Sequence, residues 1–300
     1  MNKTLSEATA FDRLMVAMRP RLHRYCARMI GSAIDAEDVV QDALAKATEA
    51  LADAGTIDRP EAWLFRIAHN AALDHLRRRK RQAARRTDAD LADVADTHAE
   101  SDVRVAATAS LATFLLLPAT PRASVVLMDV LGHSLAETSD ILGVSVATVK
   151  AALHRARLRL RDFAKANEAP RSLGTAERER LRAYADRFNA HDFDALRDLL
   201  AEDVRLDLVS RTRLAGRKDV SVYFTRYAEH TGWYISPGVA EGRVALFVSE
   251  LADPSHRANY IILLEWANER ITSIRDFRFA PYIMDSLSLG ATGASEGLVS

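Results

Sequence analysis

Between Val146 and Arg161 the chain places Lys150, Arg155, Arg157, Arg159 and Arg161, with His154 among them and no acid. Cations at helical spacing suit an anionic polymer, because each phosphate that a lysine or arginine neutralises releases a condensed counterion. A membrane surface or an acidic partner is the other class of target for such a segment. Asp38, Gln41 and Asp42 can share one face of a helix and offer the opposite charge to a cationic partner. In the last third, Asp207, Asp276 and His191 are groups able to act as general bases, and Tyr223, Tyr227, Trp233 and Trp266 can wall a pocket. A base also needs a placed substrate and a tuned pKa, which residue types alone do not supply. His191 lies in "NAHDFDAL", where an interhelical turn is expected. The single cysteine, Cys26, has no CxxC and no spaced histidine pair nearby, so neither an internal disulfide nor a thiolate metal site is expected. It reads as buried filler, and no cofactor is expected.

The elements that must position the basic residues are legible in "HSLAETSDILGVSVATVKAALHRARLRLRDF". Ser134 and Glu137 form a capping box, which predicts a helix from Leu135. Gly143 ends it about eight residues later, and Ser145 can cap a second helix, so the layout is helix-turn-helix. On the second helix Val149, Leu153, Ala156 and Leu160 share one arc and face a core. Lys150, His154, Arg157 and Arg161 cluster on an adjoining face, and Arg155 with Arg159 flank the other side. Cations on both flanks fit a helix lying between two phosphate walls. Ala147, Thr148 and Ala151 sit opposite the core near the N-terminal end, where base edges are read.

The 300 residues are 48% apolar and 27% charged, a composition for a globular chain of two or three domains. The opening "MNKTLSEATAFDRL" holds no apolar stretch of signal-peptide length, and no run approaches the roughly 18 apolar residues of a membrane span, so a cytoplasmic location is expected. The formal net charge of zero hides segregation. Residues 77–86 hold seven basic residues and no acid, and 88–102 hold six acids and no base. The acidic block lacks apolar periodicity and reads as a linker. Helical periodicity covers 11–86 and 111–165; Pro170 and Gly174 mark a second break, and 177–286 mixes helix with alternating strand patterns, including a hairpin turn at Asn268-Glu269. The tail 287–300 is small and polar. The expected domains are therefore 1–87, 111–165 and 177–286, joined by an acidic linker at 88–110 and a shorter one at 166–176.

The segment "LPATPRASVVLMDVLGHSLAETSDILGVSVATVKAALHRARLRL" resembles region 4 of the bacterial extracytoplasmic-function (ECF) sigma factors. One departure is Ala152, where many members carry arginine. The resemblance implies that Thr148, Lys150, His154, Arg155 and Arg157 face the minus-thirty-five promoter element. Upstream, "IDAEDVVQDALAKATEAL" is similar to the sigma region 2 helix that docks on the clamp helices of the largest subunit of core RNA polymerase, which implies that role for Asp38, Gln41 and Asp42. Asp35 is its expected N-cap. "AWLFRIAHNAALDHLRRRKR" resembles regions 2.3 and 2.4, which recognise and open the minus-ten element. Asp58, Pro60 and Glu61 announce that helix. Its exposed polar positions are Asn70, Asp74, Arg77 and Arg78, and Trp63, Ile67, Ala71, Leu73 and Leu76 read as core.

Residues 177–284 resemble the SnoaL-like domains of the nuclear transport factor two-like superfamily, which implies a cone of helices on a curved antiparallel sheet with a cavity at the wide end. The expected fold class is therefore multi-domain: two all-α sigma domains followed by an α+β SnoaL-like domain. The resemblance implies a sigma factor that brings core polymerase to promoter DNA and is regulated by its own C-terminal domain, which is not expected to be an enzyme. The alternative is a SnoaL-like enzyme or sensor of a small-molecule ligand fused to a helix-turn-helix regulator.

Overall fold

In a computed structural model of the chain, residues 2–51, 57–84, 110–163, 175–229, 232–253 and 257–287 are described. Residues 88–109 of the expected acidic linker, 166–174 of the second linker and the tail after Leu287 lie outside them. The chain divides into two units, Met1–Glu168 and Ala169–Ser300.

Among its described residues the first unit is all helical. Helix α1 (Asn2–Ile30), α2 (Ala33–Leu51) and α3 (Pro60–Ala84) pack on one another. Their apolar residues recur at three and four: Leu22, Tyr25, Cys26, Met29 and Ile30 on α1, Val39, Val40, Ala43 and Ala47 on α2, and Leu64, Phe65, Ala68 and Ala72 on α3 are all buried. Tyr25 meets Phe65 edge-on, with ring centroids 5.9 Å apart, and its hydroxyl lies 2.6 Å from His69 Nδ1. Each of the larger aliphatic and aromatic side chains among them contributes roughly 1.5–3 kcal/mol by leaving water. Cys26 is buried and free, as its surroundings in sequence predict.

Two helix starts refine the sequence reading. Helix α2 begins at Ala33, and Ser32 Oγ accepts from Asp35 N at 3.0 Å, so Ser32 is the cap and Asp35 stands in the first turn. Ala33 and Ile34 are buried, and joining them to the helix moves its start ahead of Asp35. In α3, Pro60 takes the first helical position, leaving Arg59 rather than Asp58 immediately before it.

The other described elements of the first unit are α4 (Leu111–Leu115), α5 (Ala119–Val125), a wide π turn over Val126–Val130, α6 (Leu135–Leu142) and α7 (Val146–Phe163). Helices α4 and α5 pack on α1, α6 packs on α3, and α5 packs on α7. Gly31 ends α1 with φ +77°, and a side chain there would collide with Leu115 of α4. Beside it, the buried Arg122 guanidinium donates to the carbonyls of Met29, of Leu115 at 3.1 Å and of Leu117 at 2.6 Å. Met29 and Leu115 lie in the last turns of α1 and α4, where helix ends carry partial negative charge. Burial pulls the Arg122 pKa down to about 10.

The second unit begins with α8 (Thr175–Asn189) and α9 (Phe193–Asp198), joined by a turn in which His191 takes φ +58°. Strands β1 (Leu200–Leu208) and β2 (Thr212–Ala215), helix α10 (Arg217–Ala228), then β3 (Trp233–Ala240), β4 (Arg243–Glu250), β5 (Tyr260–Ala267) and β6 (Arg270–Asp276) follow, with a short 3₁₀ turn at Pro281–Asp285. The sheet order is β2-β1-β6-β5-β4-β3. The sheet is mixed rather than wholly antiparallel, because β6 returns alongside β1 in the same direction, with Leu206 opposite Ile274. Strand β1 buries Val204, Leu206 and Leu208 at period two. The β5–β6 hairpin turns at Asn268-Glu269, whose φ values of +49° and +64° are those of a type I′ turn. Leu181, Tyr184, Ala185 and Phe188 on α8, and Val220, Tyr223, Phe224 and Tyr227 on α10, form the buried stripes of their helices. Asn189 fastens the end of α8 to edge strand β3, donating to Ile235 O and accepting from Ile235 N, both at 2.9 Å.

Candidate nucleic-acid interface

Helix α7 is placed by two local devices. Ser134 and Glu137 close the predicted capping box at the start of α6, and Gly143 ends α6 with φ +66°. Ser145 Oγ then accepts from Thr148 N at 3.1 Å and lies 2.8 Å from Thr148 Oγ1, which fixes the first turn of α7. Val149, Leu153, Ala156 and Leu160 are buried, as the helical wheel predicts, and Ala152 is buried with them. Val146, Ala147, Thr148, Lys150, Ala151, His154 and Arg155 are exposed. The exposed N-terminal half of α7 thus combines small and apolar surface with flanking cations, which is the arrangement that lets a helix approach base edges between phosphates.

Arg157 departs from the expected set. Its Nε donates to Asp129 Oδ2 at 2.9 Å and its Nη2 to Asp129 Oδ1 at 2.7 Å, a two-point pair in which the Asp129 side chain is 3% exposed. A guanidinium held this way orients α7 against the π turn rather than presenting its full fork to a phosphate. Asp129 is the neighbour of the candidate interface that sequence reasoning missed. The bond spans 28 residues, and the π turn that aims it leaves no local pattern.

Helix α3 carries the second set. Asn70, Arg77 and Arg78 are exposed. Asp74 is half-buried between Arg77, at 3.1 Å, and Lys46 of α2, at 3.9 Å. Arg78 lies 3.6 Å from Asp42, so the residues expected to meet DNA abut those expected to meet polymerase. Gln41 and Asp42 are exposed and Asp38 is half-buried. Of the expected α3 core, Ala71 is buried, whereas Trp63, Ile67, Leu73 and Leu76 are half-buried, with Trp63 edge-on to Phe11 at 5.9 Å. These four lie at the flanks of the apolar stripe, beyond the positions that α1 and α2 cover most fully.

In the second unit the structure gathers some of the expected cavity residues and not others. Asp276 is fully buried and accepts from Tyr223 Oη at 2.9 Å, Tyr227 Oη at 2.8 Å and Arg278 N at 2.8 Å. Tyr260, which was not anticipated, lies 2.9 Å from Tyr227 Oη. Trp233 meets Tyr260 edge-on at 5.8 Å, and the Arg278 guanidinium stands over the Tyr227 and Trp233 rings at 5.6 Å and 5.3 Å. Burial raises the Asp276 pKa, against the opposing pull of its hydrogen bonds. Trp266 packs edge-on to Tyr184 instead, at 6.5 Å. Asp207 is elsewhere, paired with Arg213 at 3.4 Å and Arg275 at 3.6 Å. His191 remains exposed in its turn. An acid satisfied by two phenols and a backbone N–H is held in place. Three phenols and an arginine ring it closely enough that its carboxylate does not reach the surface.

Among the described residues no helix is long and apolar enough to cross a membrane, and no cluster of histidine, cysteine and carboxylates is arranged to hold a metal ion. Family models for Sigma-70 region 2, Sigma-70 region 4 and a SnoaL-like domain match residues 14–82, 111–160 and 181–274. The chain is 36% identical over 151 residues to the ECF RNA polymerase sigma factor SigM of Mycobacterium tuberculosis, covering 50% of this chain and 75% of that one. It is 32% identical over 166 residues to the ECF RNA polymerase sigma factor SigW of Bacillus subtilis, covering 51% and 87%. The crystal structure of the Mycobacterium tuberculosis extracytoplasmic function sigma factor SigJ aligns over 87% of this chain and 93% of that one, with 20% identity and a TM-score of 0.33.

Proposed function

The chain belongs to the ECF RNA polymerase sigma factors, and we propose that it brings core RNA polymerase to a particular class of promoters, under the control of its own SnoaL-like domain. The observation that carries this reading is the capped helix α7, which exposes Thr148, Lys150, His154 and Arg155 around a small-residue tip. Those residues read the minus-thirty-five element, with phosphate held by the cations and bases approached through Ala147, Thr148 and Ala151. Asn70, Arg77 and Arg78 of α3 act at the minus-ten element, and Asp74 orients Arg77. Asp38, Gln41 and Asp42 dock on the clamp helices of the largest polymerase subunit through opposite charge.

The C-terminal domain acts by contact and performs no reaction. Asp276, its most buried acid, is engaged by Tyr223, Tyr227 and the Arg278 N–H, which suits a framework role better than proton transfer. Only residues 164–174 separate α7 from α8, so the tether keeps the local concentration high and a weak contact suffices. A coupling of about 1–3 kcal/mol shifts a two-state population several-fold to about a hundredfold.

Transcription with purified core polymerase, on promoters found by sequencing transcripts after overexpression, tests both parts. The full chain is expected to start transcription at those promoters, and changing Asp38 and Asp42 to lysine is expected to abolish competition for core polymerase. Removing residues 177–300 is expected to change promoter output substantially. A full chain that leaves core polymerase inactive overturns the sigma reading. A truncation without effect overturns the regulatory role alone.

A further inference from the structure

The exposed side of α3 that carries Asn70 and Arg77 continues toward the start of the helix through Arg66 to Arg59. The spacings are seven, four and seven, so the four side chains follow one stripe, and all four are exposed. Half of the stripe is open. The other half meets the helix-turn-helix: Arg59 Nη1 donates to Asp140 Oδ2 at 2.5 Å, and Arg66 Nη2 donates to the Asp140 backbone oxygen at 2.9 Å. Asp140 lies in the last turns of α6, where the helix end adds partial negative charge. The two arginines therefore face a carboxylate oxygen and a polarised carbonyl, acceptors of the kind that a phosphate also offers. A cleft of about 270 Å³ opens at this point, bounded by both arginines, Asp140, Asp58 and the Trp63 indole.

We infer that Arg59 and Arg66 are contacts for promoter phosphates and that Asp140 occupies them in this arrangement, so that the helix-turn-helix masks half of the α3 stripe until DNA displaces it. This inference rests on the sigma-factor reading. The contact is built to exchange. The Arg59 and Asp140 side chains are 66% and 48% exposed, and an exposed ion pair is weak and screened by salt. A nucleic-acid strand brings many charges and releases counterions on binding, which a single carboxylate does not match. The packing that keeps α6 in place is separate from the ion pair. His133, just ahead of α6, meets the Phe65 ring edge-on at 4.8 Å and lies 3.4 Å from Arg21 Nη2. Losing the Asp140 carboxylate therefore frees Arg59 without dismantling the unit.

The test uses the full chain and a labelled single-stranded DNA of mixed sequence, because phosphate contact does not depend on sequence. Asp140→Ala is expected to tighten binding about fivefold, since unmasking one arginine adds one phosphate contact. The gain is expected to vanish when Arg59 and Arg66 are both alanine. Within the Asp140→Ala chain, Arg59→Ala is expected to lower the salt slope of binding by about one. Circular-dichroism melts of each variant identify any loss of fold. Binding that Asp140→Ala leaves unchanged, or a gain that persists without the two arginines, overturns the masking. Promoter-dependent transcription by the wild-type chain is scored separately. Activity there with no coupling in the DNA titration sinks this inference alone, and coupling without activity sinks the sigma reading and with it the assignment of the two arginines to promoter phosphates.

Discussion

Arg157 and Lys150 both lie on α7, but one guanidinium is bound at two points by a nearly buried carboxylate and the other cation is exposed. Removing Arg157 leaves Asp129 buried and unpaired, a change that costs about 1–3 kcal/mol. Arg157→Ala is therefore expected to destabilise the first unit and to leave the salt slope of DNA binding nearly unchanged. Lys150→Ala should leave stability intact and lower the slope by about one. Urea unfolding and salt titration of the two variants separate the roles; a slope reduced by Arg157→Ala in a stable chain restores it to the phosphate contacts. His69 gives a second prediction. Burial pulls its pKa down to about 4 from an ordinary 6.5, so the folded unit holds it neutral. The unfolded chain then binds the extra proton between those values. The stability involved is present above pH 6.5 and is lost as pH falls toward 4, up to about 3 kcal/mol in all. Burial lowers the pKa of His23 as well, which acts in the same direction. Urea midpoints at neutral pH and at about pH 4.5 check this, and His69→Gln is expected to flatten the dependence; an unchanged dependence removes His69 as its source.

Among elements, the junction of α1 and α4 is the most sharply specified. Gly31 takes a left-handed backbone, and the Leu115 side chain fills the space where a Cβ would stand. Gly31→Ala is expected to cost more than the roughly 1 kcal/mol of an unfavourable backbone, because it also displaces α4. Leu115→Ala should recover part of that loss, and additive effects in a double-mutant unfolding cycle would show that the two positions are independent. The helix-turn-helix was legible in sequence because its signals are local: Ser134 with Glu137, Gly143, and Ser145 each act within four residues. The cap of α2 was not, since Ser32 and Asp35 are both good acceptors and the choice falls to the burial of Ala33 and Ile34 between them. The Arg122 bond to Met29 spans 93 residues and leaves no trace in either neighbourhood. In the second unit the Asn268-Glu269 turn was readable, but strand periodicity says nothing about direction, so the parallel pairing of β1 with β6 was not. The Asp276 cluster was half visible. Tyr223 and Tyr227 stand four apart on one helix face, whereas Tyr260 comes from a strand whose residues are buried on both faces.

At the scale of the whole molecule, the zero net charge is the sum of unlike surfaces: an α7 tip bordered by cations, an α3 stripe of Arg59, Arg66 and Arg77, and the Asp38–Asp42 face of α2. Both units depend on contacts between residues far apart in sequence, such as Met29 with Arg122 in the first and Leu206 with Ile274 in the second. Synthesis order separates them: the first unit ends at Glu168, and the parallel ladder of β1 near Leu206 with β6 near Ile274 cannot form until both strands have left the ribosome. Long-range pairing of this kind is slow, because the loop must close before any contact compensates. At the roughly 5–20 residues per second of synthesis, the remainder of the chain beyond Glu168 takes on the order of ten seconds to make. During that interval the helical unit is complete and the sheet of the second unit is not. On the proposed function, every nascent chain passes through a short period in which the unit proposed to contact DNA is complete and the domain proposed to control it is not.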